Sequence, residues 1–304
     1  MDARTAFKTG IARLRDADVR SFTLDAELLL LHVAGRDRTW LYAHPEDEIT
    51  AEQEERFFSL VARRAAGEPT QYLTGKQEFW GLEFEVNPDV LIPRPETEHV
   101  IEVALDRLAL REIRAGRKQT LSGEGLRIAD VGTGSGCIAI GLAKDLPGAK
   151  FLATDVSASA LKMAERNARR HNFADRIEFT NASLLEGVQA EPRFDLIVSN
   201  PPYISRREGP TLHREVREHE PEIALFGGEE GYELYAALVS QAAAHLVPGG
   251  MAVFELGHDS LPAVHPLFDT PEWTHVGVTN DLAGIPRVIA AERTQHIGTV
   301  TNRA

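Results

Sequence analysis

A single cysteine, Cys137, stands in 304 residues, which excludes an internal disulfide framework and any zinc site built from several thiolates. No run of about eighteen apolar residues occurs, such as a membrane-spanning helix needs. The start, Met1 to Gly10, lacks the basic segment and apolar stretch of a secretory signal, so a cytoplasmic protein with no membrane attachment is expected. Positive charge is also scarce: 33 Lys and Arg against 46 Asp and Glu leave a formal net charge of -13. That balance argues against a surface gripping phosphate backbones by counterion release, and direct nucleic-acid binding is not expected. His213, His219, His258 and His265 show no metal-ligand spacing, so no metal is expected. Internal repeats and low-complexity blocks are missing as well. What is present, 43% hydrophobic and 26% charged residues, is the balance of an ordinary globular protein long enough for two domains.

The character of the chain changes near residue 75. Before it, Ser21 and Thr23 precede Leu24, Leu28, Leu29 and Leu31 with a stop at Gly35, and Phe57, Phe58, Leu60 and Val61 sit among charges between Ala51 and Ala66. These spacings predict an amphipathic helical bundle over residues 1–74. Phe79, Trp80, Leu82, Phe84 and Val86, punctuated by Gly75, Gly81 and Asn87 to Asp89, predict a β-hairpin within 75–92. From 93 to 292, apolar strands such as Leu126–Val131, Lys150–Thr154, Phe194–Ser199 and Met251–Leu256 alternate with helical stretches, which predicts an α/β domain around a parallel, doubly wound sheet. The tail, 293–304, has few apolar anchors and is expected to be disordered.

The chemistry-bearing residues begin where the strand Arg127–Val131 runs into Gly132-Thr133-Gly134-Ser135-Gly136 and a helix opens at Cys137. A glycine-rich turn lets backbone and ligand approach closely, although tight strand-to-helix turns also want glycine for steric reasons. A dinucleotide fingerprint would place its third glycine where Cys137 stands, and Gly136 comes one residue early, which weakens a nicotinamide-cofactor reading. The form Asp-x-Gly-x-Gly-x-Gly, with Asp130 at its head, resembles the first motif of class I S-adenosylmethionine methyltransferases. By that resemblance the loop lies along the methionine part of the cofactor, with Asp130 near its charged end. The next strand, Phe151–Asp155, ends in an acid able to accept both hydroxyls of a ribose; Asp155 can equally cap the helix that starts near Ser157. After the third strand, Ser183 and Leu184 stand where such enzymes often carry an acid near the adenine.

The fourth strand delivers Asn200-Pro201-Pro202-Tyr203 to the carboxyl edge of the sheet, where open α/β sheets bind their ligands. An amide nitrogen is a poor nucleophile because its lone pair is delocalised, and methylating it requires acceptors that fix the NH2. The Asn200 side-chain oxygen and the Pro201 carbonyl can each accept one N–H, the prolines stiffen the turn, and Tyr203 can stack on the planar group. The bland alternative is a polar turn closed by a packed tyrosine. The exocyclic amine of adenine obeys the same logic, so the motif names amino-group methylation without naming the acceptor. Arg206 to Glu220 reads as a solvated loop and helix, or as a lid over the substrate.

Taken with Asp25–Leu29, Gly67–Gly75, Leu91-Ile92-Pro93-Arg94-Pro95-Glu96-Thr97-Glu98, Glu220–Leu225, Phe254-Glu255-Leu256-Gly257 and Asp281–Arg287, these motifs resemble the HemK family, also called PrmC. The resemblance spans nearly the whole chain; Ser183, Leu184 and Glu230 depart from its pattern. It implies a class I (Rossmann-like) methyltransferase sheet, mostly parallel with an antiparallel C-terminal strand, behind an N-terminal helical domain that holds the substrate. It further implies a monomer that takes S-adenosyl-L-methionine to S-adenosyl-L-homocysteine while methylating the glutamine of the Gly-Gly-Gln motif in class 1 peptide chain release factors. The implied catalytic residues are Asn200, Pro201 and Tyr203, with Pro202 also binding substrate. Asp130, Gly132, Thr133, Gly134, Ser135, Gly136, Asp155, Ser183, Leu184 and Asn200 would bind the cofactor. A ribosomal-protein glutamine methyltransferase is the nearest alternative, disfavoured by the intact Arg94–Glu98 segment, and a nucleic-acid adenine methyltransferase is the more distant one. Whether Arg94–Glu98 borders the cofactor pocket or only starts a helix is left open by the residues.

Overall fold

The structure is a computed structural model that describes residues 1–116, 122–189 and 191–295. Its elements in chain order are helices α1 (Ala3–Asp16), α2 (Phe22–Ala34), α3 (Arg38–Ala43), α4 (Ala51–Ala65) and α5 (Thr70–Thr74), the hairpin β1 (Lys76–Phe79) and β2 (Leu82–Glu85), and α6 (Glu98–Arg114). Then follow β3 (Arg127–Val131), α7 (Cys137–Asp145), β4 (Lys150–Asp155), α8 (Ala158–Arg170), β5 (Ile177–Asn181), β6 (Phe194–Ser199), β7 (Ile204–Ser205), α9 (Arg214–His219), α10 (Glu222–Leu225) and β8 (Phe226–Gly228). The last are α11 (Glu233–His245), β9 (Leu246–Glu255), α12 (Leu261–Val264), β10 (Trp273–Asn280) and β11 (Pro286–Arg293). Close contacts gather Met1–Gln77, Val86–Pro88 and Thr211–Glu220 into one compact unit, and Glu78–Glu85, Asp89–Pro210 and the described remainder from Pro221 into a second.

The first unit is built on helices with well-formed ends. Asp2 accepts the Thr5 N–H at 2.7 Å to start α1, Thr50 and Gln53 form a reciprocal capping box on α4, and Gly35, at φ 63, ends α2 at the predicted stop. Leu14 of α1, Leu29 and Leu30 of α2, and Phe57 and Val61 of α4 meet in its core. Each such side chain contributes about 1.5–3 kcal/mol relative to exposure. Thr211–Glu220 belongs to this unit, which no local pattern predicts. Arg64 is buried with its Nε 2.7 Å from Asp25 and its Nη2 2.7 Å from Glu215. A guanidinium carries five donors that a single carboxylate cannot satisfy, and Glu215 supplies the second acceptor. Arg20 and His213 add a contact of 3.0 Å. The stretch read as a solvated loop or lid is thus divided, its latter part tied to these helices through Glu215 and His213.

In the second unit seven strands lie in the order β10-β11-β9-β6-β3-β4-β5. The five from β9 to β5 are parallel, and β11 runs antiparallel to both β9 and β10. The strands read as near-continuous apolar runs because both faces are covered. Ile128, Leu196, Val198 and Val253 pack toward Ile101 of α6 and Ile140 and Leu142 of α7, while their neighbours Ala129, Val131, Ile197 and Phe254 pack toward Tyr235, Leu238 and Val239 of α11. β1 and β2 pair as predicted, turning on Trp80 and Gly81 at φ 54 and 64, both positive as in a type I′ turn. Glu98 takes the Trp80 N–H at 2.7 Å and Asp145 its indole N–H at 2.6 Å, which offsets the cost of a bulky residue there. The last strand reaches one residue into the expected tail: Arg293 pairs with Trp273, and 296–304 lie outside the described residues. Among the described residues no helix is long and apolar enough to cross a membrane.

Candidate active site

At the carboxyl edge of the sheet the registers align Thr154 with Val131, Val131 with Ser199, and Ser199 with Phe254. The next residue of each strand, Asp155, Gly132, Asn200 and Glu255, therefore falls in one row across β4, β3, β6 and β9. The chain winds from β3 to β4 and β5 on one side and returns to β6 and β9 on the other, so the row crosses the switch point where such sheets hold ligands.

A cavity of about 550 Å³ opens over this row, within the range of small-molecule sites. Gly132, Thr133, Gly134, Ser135, Asp155, Ser183, Leu184, Asn200, Pro201 and Pro202 all line it. Gly132 and Gly134 take φ of 72 and 56, and a Cβ on either would meet no atom within 4 Å, so the loop presents bare backbone to open space. Asp155 Oδ2 accepts the Gly134 N–H at 2.9 Å and Oδ1 the Ser157 N–H at 2.8 Å, fixing both the loop and the helix start. The cap of α8 is Ser157 itself, whose Oγ accepts from Ala160 at 3.2 Å. Burial raises the Asp155 carboxyl, opposed by these N–H groups, and each oxygen keeps a lone pair for a diol.

Three predicted site residues do not line the cavity. Asp130 is fully buried beneath the loop, where Oδ2 accepts from the Thr133 hydroxyl at 2.7 Å and the Ala139 N–H at 3.1 Å. Burial pushes its carboxyl up to about 6, and its second oxygen has no partner among the described residues. Gly136, at φ 85, is the N-cap of α7 and packs against Ala164, where a Cβ would come within 3.2 Å of that side chain. Tyr203 turns its ring onto Gly257 and donates its hydroxyl to Glu255 Oε1 at 3.2 Å, so part of the ring is taken up by packing. Cys137 is a packing residue at the cavity edge, its thiol pushed up to about 12 by burial.

Asn200 is held from behind. Its Nδ2 lies 3.0 Å from Oγ1 of the buried Thr97. The 3-10 turn Pro95–Thr97 makes no side-chain cap for α6, so the Thr97 side chain is spent on Asn200 rather than on starting the helix. Pro93, Arg94 and Thr97 all line the cavity, so this segment borders it as well as leading into α6. Arg206, the first residue of the stretch read as a loop or lid, forms a wall with Ile223 and Phe226, which sequence reasoning gave no role. For Ile223 the signal was the Glu220–Leu225 match, which carried no role. The wall exists because β7, directly after Tyr203, pairs with β8 at Ile204 and Phe226.

With this geometry in place, comparison with known proteins is informative. Residues 5–75 match the PrmC N-terminal domain and 118–218 the methyltransferase small domain. The release factor glutamine methyltransferase of Koribacter versatilis (strain Ellin345) is 43% identical over 293 residues, 96% of this chain and 99% of that one. The chain belongs to the release factor glutamine methyltransferase family. A relative of the same name from Bradyrhizobium diazoefficiens is 42% identical, covering 95% of this chain and 94% of its own. The solved hMettl16 catalytic domain, in complex with MAT2A 3'UTR hairpin 6, aligns at TM-score 0.54 and 20% identity over 76% of this chain and 81% of that one, a likeness of fold alone. The family makes the chain a methyltransferase, and the HemK resemblance read from its motifs holds.

Proposed function

We propose that this cytoplasmic enzyme transfers a methyl group from S-adenosyl-L-methionine to the side-chain amide nitrogen of the glutamine in the Gly-Gly-Gln motif of class 1 peptide chain release factors. The observation that carries the reading is the Asn200 amide: its NH2 is engaged by Thr97, which leaves Oδ1 as the acceptor of a residue that lines the cavity together with Pro201. Two acceptors on a stiff turn match the two N–H groups of a primary amide, and preorganised acceptors need little rearrangement as the transition state forms.

The cavity suits S-adenosylmethionine by its own chemistry. Asp155 offers carboxylate lone pairs to a ribose diol, Val156, Ile138 and Leu184 offer apolar surface to a flat base, and the backbone at Gly132 and Gly134 leaves room for a chain lying along it. When bound, that group supplies a methyl made electrophilic by its sulfonium. Asn200 and the Pro201 carbonyl hold the amide nitrogen toward it, and the apolar walls exclude water. The new N–C bond forms as the methyl–sulfur bond breaks, leaving a neutral thioether, and the N-protonated amide, a strong acid, gives its proton to water where the cavity opens to solvent.

Support for release factors as acceptors comes from the name shared by relatives over nearly their whole length. The test is transfer of labelled methyl to a purified release factor, to its Gln-to-Ala variant in the Gly-Gly-Gln motif, and to ribosomal proteins. Label on the first alone is expected. Label on ribosomal proteins with none on the release factor would replace the acceptor.

A further inference from the structure

Two cations line the cavity, Arg94 and Arg206. Arg94 is already engaged within the protein. Arg206 is held in place, yet its donors are unused. Its backbone N–H donates to the Gly228 carbonyl at 3.1 Å, next to the pairing of Ser205 with Gly228. Its guanidinium carbon lies over the Phe226 ring, 5.5 Å from the centroid. That ring is itself fixed against Gly209, where a Cβ would come within 3.3 Å of it. The neighbouring Arg207 pairs with Glu230, but among the described residues no acceptor meets the Arg206 guanidinium. A cation over an aromatic face is attracted by the ring without spending its N–H groups on an acceptor, so up to five donors remain for a ligand.

We propose that Arg206 binds the acceptor protein, donating to main-chain carbonyl oxygens beside the glutamine; the inference rests on the reading of the acceptor as a Gly-Gly-Gln segment. Such a segment carries no side chain except that of the glutamine itself. An enzyme holding it can grip only peptide groups, and glycine loses more conformational freedom than any other residue when it is fixed. A planar guanidinium is preorganised to meet two carbonyls at once. Its place in the chain favours the acceptor over the cofactor. Arg206 follows the Asn-Pro-Pro turn and shares the cavity lining with Pro202, whereas Gly132, Asp155 and Ser183 come from the loops after β3, β4 and β5. S-adenosylmethionine also sets an ammonium and a sulfonium against one carboxylate, so a guanidinium gains little from it except at that carboxylate.

The experiment uses the full chain and a purified release factor, comparing wild type with Arg206→Gln and Arg206→Lys by transfer kinetics and by calorimetry with S-adenosylmethionine. In Arg206→Gln the KM for the release factor rises about 10- to 100-fold. Its kcat stays within about threefold of wild type and its cofactor affinity is unchanged, as for a contact made equally in ground and transition states. Arg206→Lys recovers part of the loss, since an ammonium supplies donors without the planar fork. The variant-to-wild-type ratio of KM is the same at about 0.05 M and about 0.3 M salt, because a carbonyl carries no net charge to screen. An unchanged KM overturns the proposal. So does weakened cofactor binding in its place, which puts the guanidinium on the methionine carboxylate, or a ratio that shrinks with salt, which marks a carboxylate partner. A wild type that methylates no release factor counts against the acceptor assignment instead. The Arg206 Nε–H resonance, identified by its loss in Arg206→Lys, then decides: with S-adenosylhomocysteine bound, a shift on adding release factor upholds the contact, and no shift overturns it.

Discussion

The ring of Tyr203 rests on Gly257 so closely that a methyl group at that glycine would sit 2.8 Å from its Cδ2. The contact lets a tyrosine beside the reacting centre act as a brace, with its hydroxyl on Glu255. Gly257→Ala should push the ring off and shift the Asn-Pro-Pro turn. A misplacement near 1 Å costs about 100-fold in rate, so kcat should drop about 10- to 100-fold with cofactor affinity nearly unchanged, measured by transfer kinetics and calorimetry. An unchanged kcat would mean that the ring yields without moving the turn.

Removing the acceptor itself should be more severe. Asn200→Ala deletes one of the two acceptors proposed for the substrate amide and should lower kcat by about 100- to 1000-fold. Asn200→Asp keeps an oxygen but loses the N–H that meets Thr97, and it should not restore activity. Recovery by the aspartate would show that orientation by Thr97 is immaterial.

Asp155 is bonded to the N–H groups of Gly134 and Ser157. Asp155→Ala should therefore weaken S-adenosylmethionine binding about 10- to 100-fold, as loss of a charge-assisted hydrogen bond costs about 1.5–3 kcal/mol. Amide exchange at Gly134 should quicken in the same variant. Tight binding with a slow Gly134 amide would remove Asp155 from both roles.

Stability should fall as pH rises through the site carboxyls. Asp130 and Glu255 titrate at about 6 and about 7 in the folded chain, against 3.8 and 4.5 as ordinary values. Between these limits the folded state holds more protons than the unfolded one, so their contribution is full below pH 4 and is lost as pH rises to about 7. Glu255→Gln removes its share, roughly 3 kcal/mol at most. Its melting temperature relative to wild type should therefore rise between pH 5 and pH 8; a difference independent of pH would contradict the raised value.

Arg64 offers a test of the first unit. Arg64→Met strands Asp25 and Glu215, with Asp25 only 5% exposed, and breaking a buried pair costs about 3–5 kcal/mol. Denaturant unfolding should show that loss, and proteolysis within 211–220 should accelerate. Equal cutting in variant and wild type would mean that other contacts hold the segment.

The local motifs were legible because their reasons are local. Gly132 and Gly134 are glycines because the turn needs positive φ and open space, and the Asn-Pro-Pro turn follows an apolar strand whose end must lie at the carboxyl edge. The hairpin, the helix stop at Gly35 and the doubly covered sheet follow from spacing in the same way. The packing of Tyr203 was not legible, since an aromatic beside a polar turn has two faces and its neighbours in sequence do not say which one meets the protein. Its partners, Glu255 and Gly257, stand more than fifty residues away.

By itself the sequence determined the alternation of strand and helix, the loop over which a cofactor can lie, and the two acceptors that suit an amide nitrogen. These depend on backbone conformation and residue chemistry within a few positions. Only the tertiary structure decided that Thr97, 103 residues before Asn200, would take its NH2, that Glu255 would take the Tyr203 hydroxyl, and that Thr211–Glu220 would join the helical unit. Such pairings follow from strand order and from buried donors finding acceptors, and a buried group is satisfied by whichever residue the packing brings near.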